Sequence, residues 1–212
     1  ADILRATEYY EKILLDMDVD IHLNTEVTKE IMNAADAVIV AVGAHDITLP
    51  IEGADAPTVV SSWDVLSGTA ELNGHCAVIG GGLVGAETAE FAANKGHAVS
   101  IIEMTDKIAA QESSTVLPVM MADFAKHDVK QYVNKKVSNI TNDGKTINAT
   151  DAEGNAVTIE CDTIIMAVGS KKNEFDVEGV TVPVYYAGDC TGERTADIAS
   201  AIRGGYKAAN EI

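Results

Sequence analysis

The stretch VIGGGLVGAETAE, residues 78–90, decides the fold of this 212-residue chain. Its glycines at 80, 82 and 85 fit the pattern G-x-G-x-x-G, and Gly81 adds one more glycine inside the turn. An apolar strand-like run precedes these glycines, and a run with helical spacing follows them. A glycine turn between a buried strand and a helix predicts a site that cradles a phosphate group.

Each glycine of the pattern has a physical task. Gly80 permits the tight turn off the strand, Gly82 lets the backbone approach a pyrophosphate, and Gly85 lets the helix pack closely on the strand. The first helical residues, Leu83 and Val84, expose backbone N–H groups at the positive end of the helix dipole. We therefore predict that this turn binds a dinucleotide. The alternative is a tight strand–helix junction without a ligand.

The acidic residue Glu103 ends the next predicted strand, residues 98–103. It follows Gly80 at close to the ~20-residue spacing expected of the carboxylate that binds an adenosine ribose. Such a carboxylate accepts from ribose hydroxyls and repels a 2′-phosphate. Neither Met104 nor its neighbours supply an arginine, and Lys107 is the nearby cation. The sequence thus favours NAD(H) over NADP(H), while the glycine pattern alone is also compatible with the adenosine of FAD.

The order of elements around the glycine turn predicts a parallel sheet. A helix is predicted over 113–128, with a serine cap and with Pro118 delaying or kinking its first turn. A third strand follows at 129–133. Alternation of strands and helices predicts parallel neighbours with right-handed crossovers. Three alternating segments separated by the turns NDG and AEGN then predict an antiparallel meander: residues 136–141, 145–151 and 156–161.

The remaining segments flank this unit. Their periodicity and turn residues predict a helix over 3–15, a strand over 19–23, a buried strand over 37–43, a turn-rich loop over 44–62, a short helix over 61–68 capped by Ser61 or Ser62, a buried strand over 163–169, a strand over 182–188 and a final helix over 195–212.

Composition and charge limit the possible partners. The net charge is −18 and the pI is about 4.4, so we expect neither a nucleic acid nor a membrane partner. The three cysteines, Cys76, Cys161 and Cys190, form no Cys-x-x-Cys pair, which predicts a reducing cytoplasm and no zinc or dithiol site. We expect the first two to be small buried residues beside strands. No spacing of histidines indicates a metal site, and we name no catalytic acid or base.

Short motifs on both sides of the glycine turn resemble a known family. Apolar strands end in glycine within IVAVGA (39–44) and IMAVGS (165–170), and VYYAGD (184–189) precedes the last predicted helix. Together with the linker at 49–66, this arrangement resembles the pyridine nucleotide–disulfide oxidoreductase superfamily, whose members bind FAD and NAD. The motif AGDC and the tail ADIASAIRGGYKAANEI look most similar to the C-terminal FAD/NAD region of NADH:flavin oxidoreductases of the 2-enoate reductase and 2,4-dienoyl-CoA reductase type.

The resemblance implies an α/β fold in which one domain is inserted in another. The inserted domain is a Rossmann-like NAD-binding domain, with a parallel sheet and a three-stranded antiparallel meander, and the outer one is a partial FAD-binding domain. The implied segments are a partial FAD-domain segment and linker over 1–70, the NAD(H)-binding domain over 71–170, and a C-terminal FAD-domain segment over 171–212.

The resemblance also implies further cofactor contacts. Val168 and Gly169, at the end of a predicted strand, would lie toward the nicotinamide. Gly188 and Asp189 would lie at the ribityl chain of FAD, the aspartate accepting a hydrogen bond and the glycine allowing close approach. A turn with an aspartate cap is the alternative for this last pair.

Two departures from the family pattern shape the functional expectation. The family's FAD domain opens with its own G-x-G-x-x-G unit, and this sequence contains no second copy of that pattern. It also lacks a dithiol and an iron–sulfur cysteine cluster. We therefore expect FAD to belong to a full-length parent protein rather than to be held firmly by this chain.

The expected function is that of the NADH-binding portion of a flavin-dependent oxidoreductase. Hydride would pass from NADH to a flavin, in contact with a flavin or barrel domain of a parent such as an enoate reductase, a dienoyl-CoA reductase or an NADH oxidase. Two alternatives stay open: a non-catalytic nucleotide-binding module, and an electron-transfer subunit that pairs with a separate FAD-binding chain.

Overall fold

The computed structural model describes residues 2–192 and 197–212. The helices of these residues are α1 (Asp2–Asp16), α2 (Lys29–Asn33), α3 (Ser62–Ser67), α4 (Leu83–Asn94), α5 (Leu117–Lys126) and α6 (Ile198–Ala209), with a 3₁₀ helix at Gly188–Thr191. The strands are β1 (Val38–Val40), β2 (Ala44–Asp46), β3 (Val59–Ser61), β4 (His75–Ile79), β5 (Ala98–Ile102), β6 (Lys130–Tyr132), β7 (Lys136–Thr141), β8 (Thr146–Thr150), β9 (Ala156–Glu160), β10 (Thr163–Met166), β11 (Ser170–Lys172) and β12 (Val184–Tyr186).

Five parallel strands form the central sheet, in the order β3–β10–β4–β5–β6. Its middle strands are buried almost throughout: all of β10, and all but the first residue of β4 and of β5. Continuous burial of this kind belongs to strands that are covered on both faces. The mixed α/β fold is confirmed, and so is the predicted parallel pairing of the strands that flank the glycine turn.

Different layers cover the two faces of this sheet. Helix α4 packs on one face through small side chains, so that helix and sheet approach closely, and α5 adds larger ones to the same cluster: Ala86, Ala89, Ala92, Met120 and Phe124. The antiparallel sheet β7–β8–β9 covers the other face with Val137, Ile140, Ile147 and Ile159, which meet Ala77, Ile79 and Ile102 of the central strands. The predicted three-stranded meander is confirmed.

Two small sheets join the regions before and after the central sheet. Strand β1 pairs in parallel with β12, with Val38 opposite Val184, and β2 pairs antiparallel with β11, with Ala44 opposite Lys172. Segments far apart in sequence therefore lie side by side on both sheets.

The strand predicted over 19–23 is wrong. This segment has no regular structure, and the side chains of Val19, Ile21 and Leu23 are exposed. An alternating pattern forms a strand only when a neighbouring strand supplies backbone hydrogen bonds, and the described residues place none beside this segment.

The turn-rich loop predicted over 44–62 is wrong at both ends. Its first residues form β2, and its last residues form β3, which pairs with β10 at the edge of the central sheet. Between them, the Ile140 N–H donates to the Glu52 carbonyl over 2.8 Å, which docks the middle of the segment on the meander. The tertiary partners convert turn-like sequence into edge strands.

Three helix ends refine the sequence predictions. Ser61 caps α3 by accepting from the Asp64 N–H over 3.1 Å, as predicted. Helix α5 begins only at Leu117, and its N-cap residue Val116 makes no side-chain cap bond. The predicted serine caps the turn before it instead, because the Ser113 Oγ accepts from the Val116 N–H over 3.2 Å. Pro118 lies in the first turn, where its missing N–H is tolerated. Helix α6 covers 198–209 of the predicted 195–212; residues 195 and 196 lie outside the described part of the chain.

Candidate functional site

The glycine turn lies at the carboxyl edge of the central sheet, between β4 and α4. Gly80 has a φ of +101°, in the left-handed region that favours glycine. Its N–H donates to the Ile102 carbonyl over 2.9 Å, which ties the turn to the end of β5. A side chain at this position would collide with the Ala167 carbonyl. The turn can therefore pass between β5 and β10 only with glycine at its start.

The other two glycines of the pattern differ sharply in their surroundings. A Cβ on Gly85 would collide with the Gly80 carbonyl, so this glycine allows α4 to lie against the end of its own strand. A Cβ on Gly82 would meet no atom within 4 Å. Gly85 is therefore required by packing within the chain. Gly82 instead faces open space, where a ligand can approach the protein backbone closely.

The N-terminus of α4 carries no side-chain cap. Gly82 is the N-cap residue, and no side chain accepts a hydrogen bond from the first turn within the described residues. The first N–H groups of a helix lack intrahelical acceptors, so those of Leu83, Val84 and Gly85 point toward the space beyond Gly82. Leu83 packs its side chain on the core while Val84 is 42% exposed. These donors suit a pyrophosphate, which needs backbone N–H groups rather than a basic field.

Glu103 lies directly behind the turn and is 9% exposed. Its Oε2 accepts from the Gly81 N–H over 2.6 Å, and its Oε1 accepts from the Thr105 N–H over 2.7 Å. A carboxylate has about four lone-pair sites, so about two remain that could accept from a ligand. The structure therefore brings Glu103 and the glycine turn together, as the spacing predicted, and the carboxylate also holds the turn itself.

The role of Gly81 was not foreseen from the sequence. A Cβ on Gly81 would lie 2.9 Å from the Glu103 Cβ and 2.5 Å from the Ile108 Cδ1, closer than real side chains approach. The Gly81 carbonyl in turn accepts from the Ala109 N–H over 2.7 Å. The extra glycine thus makes room for the acidic side chain and for the loop after β5. Its presence inside the pattern was the one signal of this contact.

The residues after Glu103 form the outer rim of the site. Met104 is 66% exposed, and Asp106 and Lys107 are exposed as well. The Thr105 hydroxyl donates to the Lys107 carbonyl over 3.3 Å, which closes a small turn. The rim therefore presents one acid and one lysine beside the carboxylate of Glu103, and no arginine.

Val168 and Gly169 follow β10 on the same edge of the sheet. Their predecessor Ala167 lies where a Cβ on Gly80 or on Gly85 would point, and its N–H donates to the Ile79 carbonyl over 2.8 Å. Gly169 has a φ of +112°, and its carbonyl accepts from the Ile47 N–H over 3.0 Å. The carboxyl ends of β4, β5 and β10 thus lie at one edge of the sheet, which is the edge where ligands bind in open α/β sheets.

Gly188 and Asp189 lie on a different part of the molecule. They open the 3₁₀ helix after β12, with Gly188 at a φ of +72°, and this helix contacts α6 and β11. Strand β11 begins at Ser170, directly after Gly169, so the two groups of predicted residues are linked through it. The structure does not bring Gly188 and Asp189 to the glycine turn.

All three cysteines are buried. Burial raises the pKa of Cys76 to about 11 and that of Cys161 to about 12, so both thiols stay protonated at neutral pH. The Cys190 thiol lies 3.2 Å from the Val40 carbonyl and 3.1 Å from the Ala187 carbonyl, where it links β1 to the end of β12. The prediction that Cys76 and Cys161 are small buried residues is confirmed.

Two kinds of feature are absent from residues 2–192 and 197–212. No helix there combines the length and the apolar character that crossing a bilayer requires. No group of three or more histidine, cysteine, aspartate or glutamate side chains is arranged to hold a metal ion.

Comparison with known proteins identifies the class. The family model for pyridine nucleotide-disulphide oxidoreductases matches residues 7–184, and the chain belongs to this family. The resemblance predicted from the sequence is therefore confirmed. The family binds FAD and a pyridine nucleotide, so the chain is part of a flavin-dependent oxidoreductase family.

Among known proteins, the chain is similar to parts of several larger reductases. The chain is 42% identical to a bilirubin reductase of Mediterraneibacter gnavus, in a match that covers the whole chain and 33% of the reductase. It is 33% identical to a cinnamate reductase of Clostridium sporogenes, in a match that covers 97% of the chain and 31% of the reductase. The solved structure of a 2-naphthoyl-CoA reductase complex has a similar fold, with a TM-score of 0.84 and 30% sequence identity. The match covers 96% of the present chain and 31% of the reductase chain. The chain thus spans about a third of the length of the curated relatives it matches.

Proposed function

We propose that this chain is the NADH-binding portion of a flavin-dependent oxidoreductase in which hydride passes from NADH to a flavin. The observation that carries the proposal is the pairing of Glu103 with the glycine turn, its carboxylate 2.6 Å from the Gly81 N–H, at the uncapped N-terminus of α4. Together these groups offer donors for a pyrophosphate and acceptors for a ribose at adjoining positions.

The residues at the carboxyl edge of the central sheet would divide the dinucleotide among them. The N–H groups of Leu83, Val84 and Gly85 would donate to the pyrophosphate, and Glu103 would accept from the adenosine ribose. Val168 and Gly169, on the neighbouring strand end, would lie toward the nicotinamide. The nicotinamide supplies the hydride when bound, so the chain's own task is to bind and orient the cofactor and to exclude water.

We propose a preference for NAD(H) over NADP(H). The Glu103 carboxylate would lie beside a 2′-phosphate, and Asp106 adds a second negative charge on the exposed rim. Lys107 is the one cation of residues 103–107, and its side chain is exposed to solvent. A 2′-phosphate would therefore meet net negative charge, which costs more than a ribose hydroxyl at the same place.

The flanking segments are proposed to belong to a divided FAD domain. From the sequence we expect residues 1–70 and 171–212 to be parts of that domain and 71–170 to be the inserted NAD(H) domain. Because β3 pairs with β10 and Val65 of α3 packs in the core of the central sheet, we propose that the inserted domain also includes β3 and α3. The parallel pairing of β1 with β12 supports the division, because it joins the two flanking segments directly. Gly188 and Asp189 would then contact FAD in the full-length parent, next to a flavin or barrel domain of that protein.

We further propose that the parent protein reduces an unsaturated acid or its thioester, or oxidises NADH. Support comes from relatives whose names specify reduction of cinnamate and of 2-naphthoyl-CoA. A reducing cytoplasm suits the three buried free thiols, and we propose that location.

The test is a pair of measurements on the purified 212-residue chain. A visible spectrum reports bound flavin, and fluorescence titration with NADH and NADPH reports nucleotide binding. We expect saturable NADH binding, weaker NADPH binding and no stoichiometric flavin. A folded chain that binds neither nucleotide would contradict the proposal and favour a non-catalytic module, whereas flavin bound at one per chain would overturn our expectation that FAD needs the parent protein.

A further inference from the structure

The segment that carries Glu103 is hydrogen-bonded to the end of β6 and to the turn between β6 and β7. The Glu103 N–H donates to the Tyr132 carbonyl over 2.9 Å, and the Glu103 carbonyl accepts from the Lys135 N–H over 2.8 Å. Two residues on, the Thr105 carbonyl accepts from the Asn134 N–H over 2.8 Å. The backbone position of the ribose-binding acid is therefore fixed by this turn rather than by its own strand alone.

The side chain of Lys135 connects that turn to the meander. Its Nζ donates to the Asp151 Oδ2 over 2.8 Å, and the two side chains are only 22% and 13% exposed. Lys135 also stands at the end of the turn immediately before β7. One residue therefore holds the Glu103 backbone with its N–H and the meander with its ammonium group.

Asp151 is itself firmly placed. Its Oδ1 accepts from the N–H groups of Glu153 and Asn155, over 3.1 and 2.7 Å, and so closes the turn between β8 and β9. The hydrogen bond from Lys135 is the largest cause that holds the pKa of Asp151 well below its ordinary value, so the carboxylate is ionised at neutral pH. The partner of Lys135 is thus a fixed anion on a structured turn.

We propose that Lys135 is a positioning residue for the dinucleotide site, which together with Asp151 ties the meander to residues 103–105 and holds Glu103 in place for the ribose. The inference rests on the proposed function, because it assigns a residue to the binding of NADH. It gives the meander, which lies on the sheet face opposite α4, a part in choosing the nucleotide.

A shift of Glu103 has opposite consequences for the two nucleotides. A displaced carboxylate loses its hydrogen bonds to the ribose hydroxyls of NADH, and it also loses its repulsion of the 2′-phosphate of NADPH. General damage to the fold weakens both nucleotides alike. The ratio of the two dissociation constants therefore separates positioning from mere structural support.

The experiment compares Lys135→Met with Lys135→Arg, which keeps the cation, in the 212-residue chain. Fluorescence titration gives the Kd of NADH and of NADPH for each protein, and circular dichroism confirms folding. We expect Lys135→Met to raise the Kd of NADH about fivefold with little change for NADPH, the size of effect that one partly exposed ion pair supports. We expect Lys135→Arg to restore most of the wild-type ratio.

Lys130→Met is the matched control. Lys130 also forms an ion pair close to the end of the sheet, with Asp128, but both side chains are mostly exposed, and their described hydrogen bonds join them to each other rather than to residues 103–105. Its replacement should leave both dissociation constants unchanged. If Lys135→Met fails to fold, Asp151→Asn takes its place, because the amide oxygen still accepts from the backbone of its turn while the ion pair is lost.

The outcomes separate the two levels of the proposal. A wild-type chain that binds no NADH overturns the proposed function and this inference with it. Wild-type binding of NADH combined with an unchanged NADPH-to-NADH ratio in Lys135→Met, or in Asp151→Asn, overturns the inference alone. The same holds if Lys135→Arg behaves like Lys135→Met.

Discussion

At the scale of single residues, the Glu103 carboxylate holds the glycine turn and is also the group that we propose for the adenosine ribose. The spacing from Gly80 predicts only the second of these roles. The structure adds that the same carboxylate accepts from the Gly81 and Thr105 N–H groups, so it also holds the glycine turn. A pattern of letters records which residue types occur, but it does not record which backbone groups their side chains reach.

This double role leads to a prediction for Glu103→Gln. The neutral amide removes the repulsion of a 2′-phosphate, so the Kd of NADPH should fall relative to that of NADH. The amide has one acceptor oxygen, so one of the two N–H groups loses its partner, and the free energy of unfolding should fall by about 1–3 kcal/mol. Nucleotide titration and urea unfolding test the two effects. An unchanged nucleotide ratio would show that Glu103 does not face the ribose.

Gly85 gives a second prediction at this scale. In Gly85→Ala the new methyl group collides with the Gly80 carbonyl, so α4 must move away from β4 and the N–H donors move with it. We expect a loss of about 1–3 kcal/mol in the free energy of unfolding and a clear loss of NADH affinity.

The control for that variant is Gly205→Ala in α6. A Cβ there meets no atom within 4 Å, so the better helix propensity of alanine should leave stability unchanged or raise it by up to ~1 kcal/mol. Urea unfolding followed by circular dichroism measures both proteins. Equal destabilisation of the two variants would contradict the steric explanation.

At the scale of elements, local pattern was sufficient wherever an element's partners lie nearby in sequence. The strands and helix on each side of the glycine turn and the three strands of the meander were predicted because hydrophobic period and turn residues agree there. The strand predicted over 19–23 and the loop predicted over 44–62 failed for the opposite reason. Whether these segments pair depends on distant strands, such as β10 and β11, whose position no local pattern contains.

The ion pair between Lys135, before β7, and Asp151, after β8, gives a prediction about the pH dependence of stability. Because the pKa of Asp151 is lowered in the folded chain, its ionised form stabilises the fold above its ordinary pKa of 3.8, and this contribution is lost as the pH falls through the lowered value. Lys135→Met removes the largest cause. The stability difference between wild type and variant should be complete at neutral pH and should shrink below about pH 4.

Thermal unfolding of both proteins at neutral pH and near pH 3 measures this difference. The exposed pair of Lys130 and Asp128 serves as the comparison, since its replacement should change the melting temperature little at either pH. A difference between wild type and Lys135→Met that persists undiminished in acid would mean that packing of the lysine stem, rather than its charge, supports the fold.

At the scale of the whole molecule, a net charge of −18 acts against an anionic ligand. The proposed site at the glycine turn offers backbone N–H donors, so we expect binding there not to depend on long-range attraction. Salt screens the repulsion between chain and ligand, and we therefore expect the Kd of NADH to fall, by about twofold, between roughly 20 and 200 mM sodium chloride. Titrations at both concentrations test this, and a Kd that rises with salt would indicate that cations such as Lys107 dominate binding.

The pairing of β1 with β12 has a consequence for how the chain folds. Val38 and Val184 are separated by most of the sequence, and bringing such distant segments together carries a loss of chain entropy that grows with the length between them. The first and last strands of the central sheet in chain order, β3 and β10, are themselves neighbours. Once that sheet has formed, the free chain between β1 and β12 is roughly fourfold shorter than in the unfolded protein, which lowers the entropic cost of closing this loop by about 1 kcal/mol. Refolding should therefore begin in the middle of the chain, and the small outer sheet should close last.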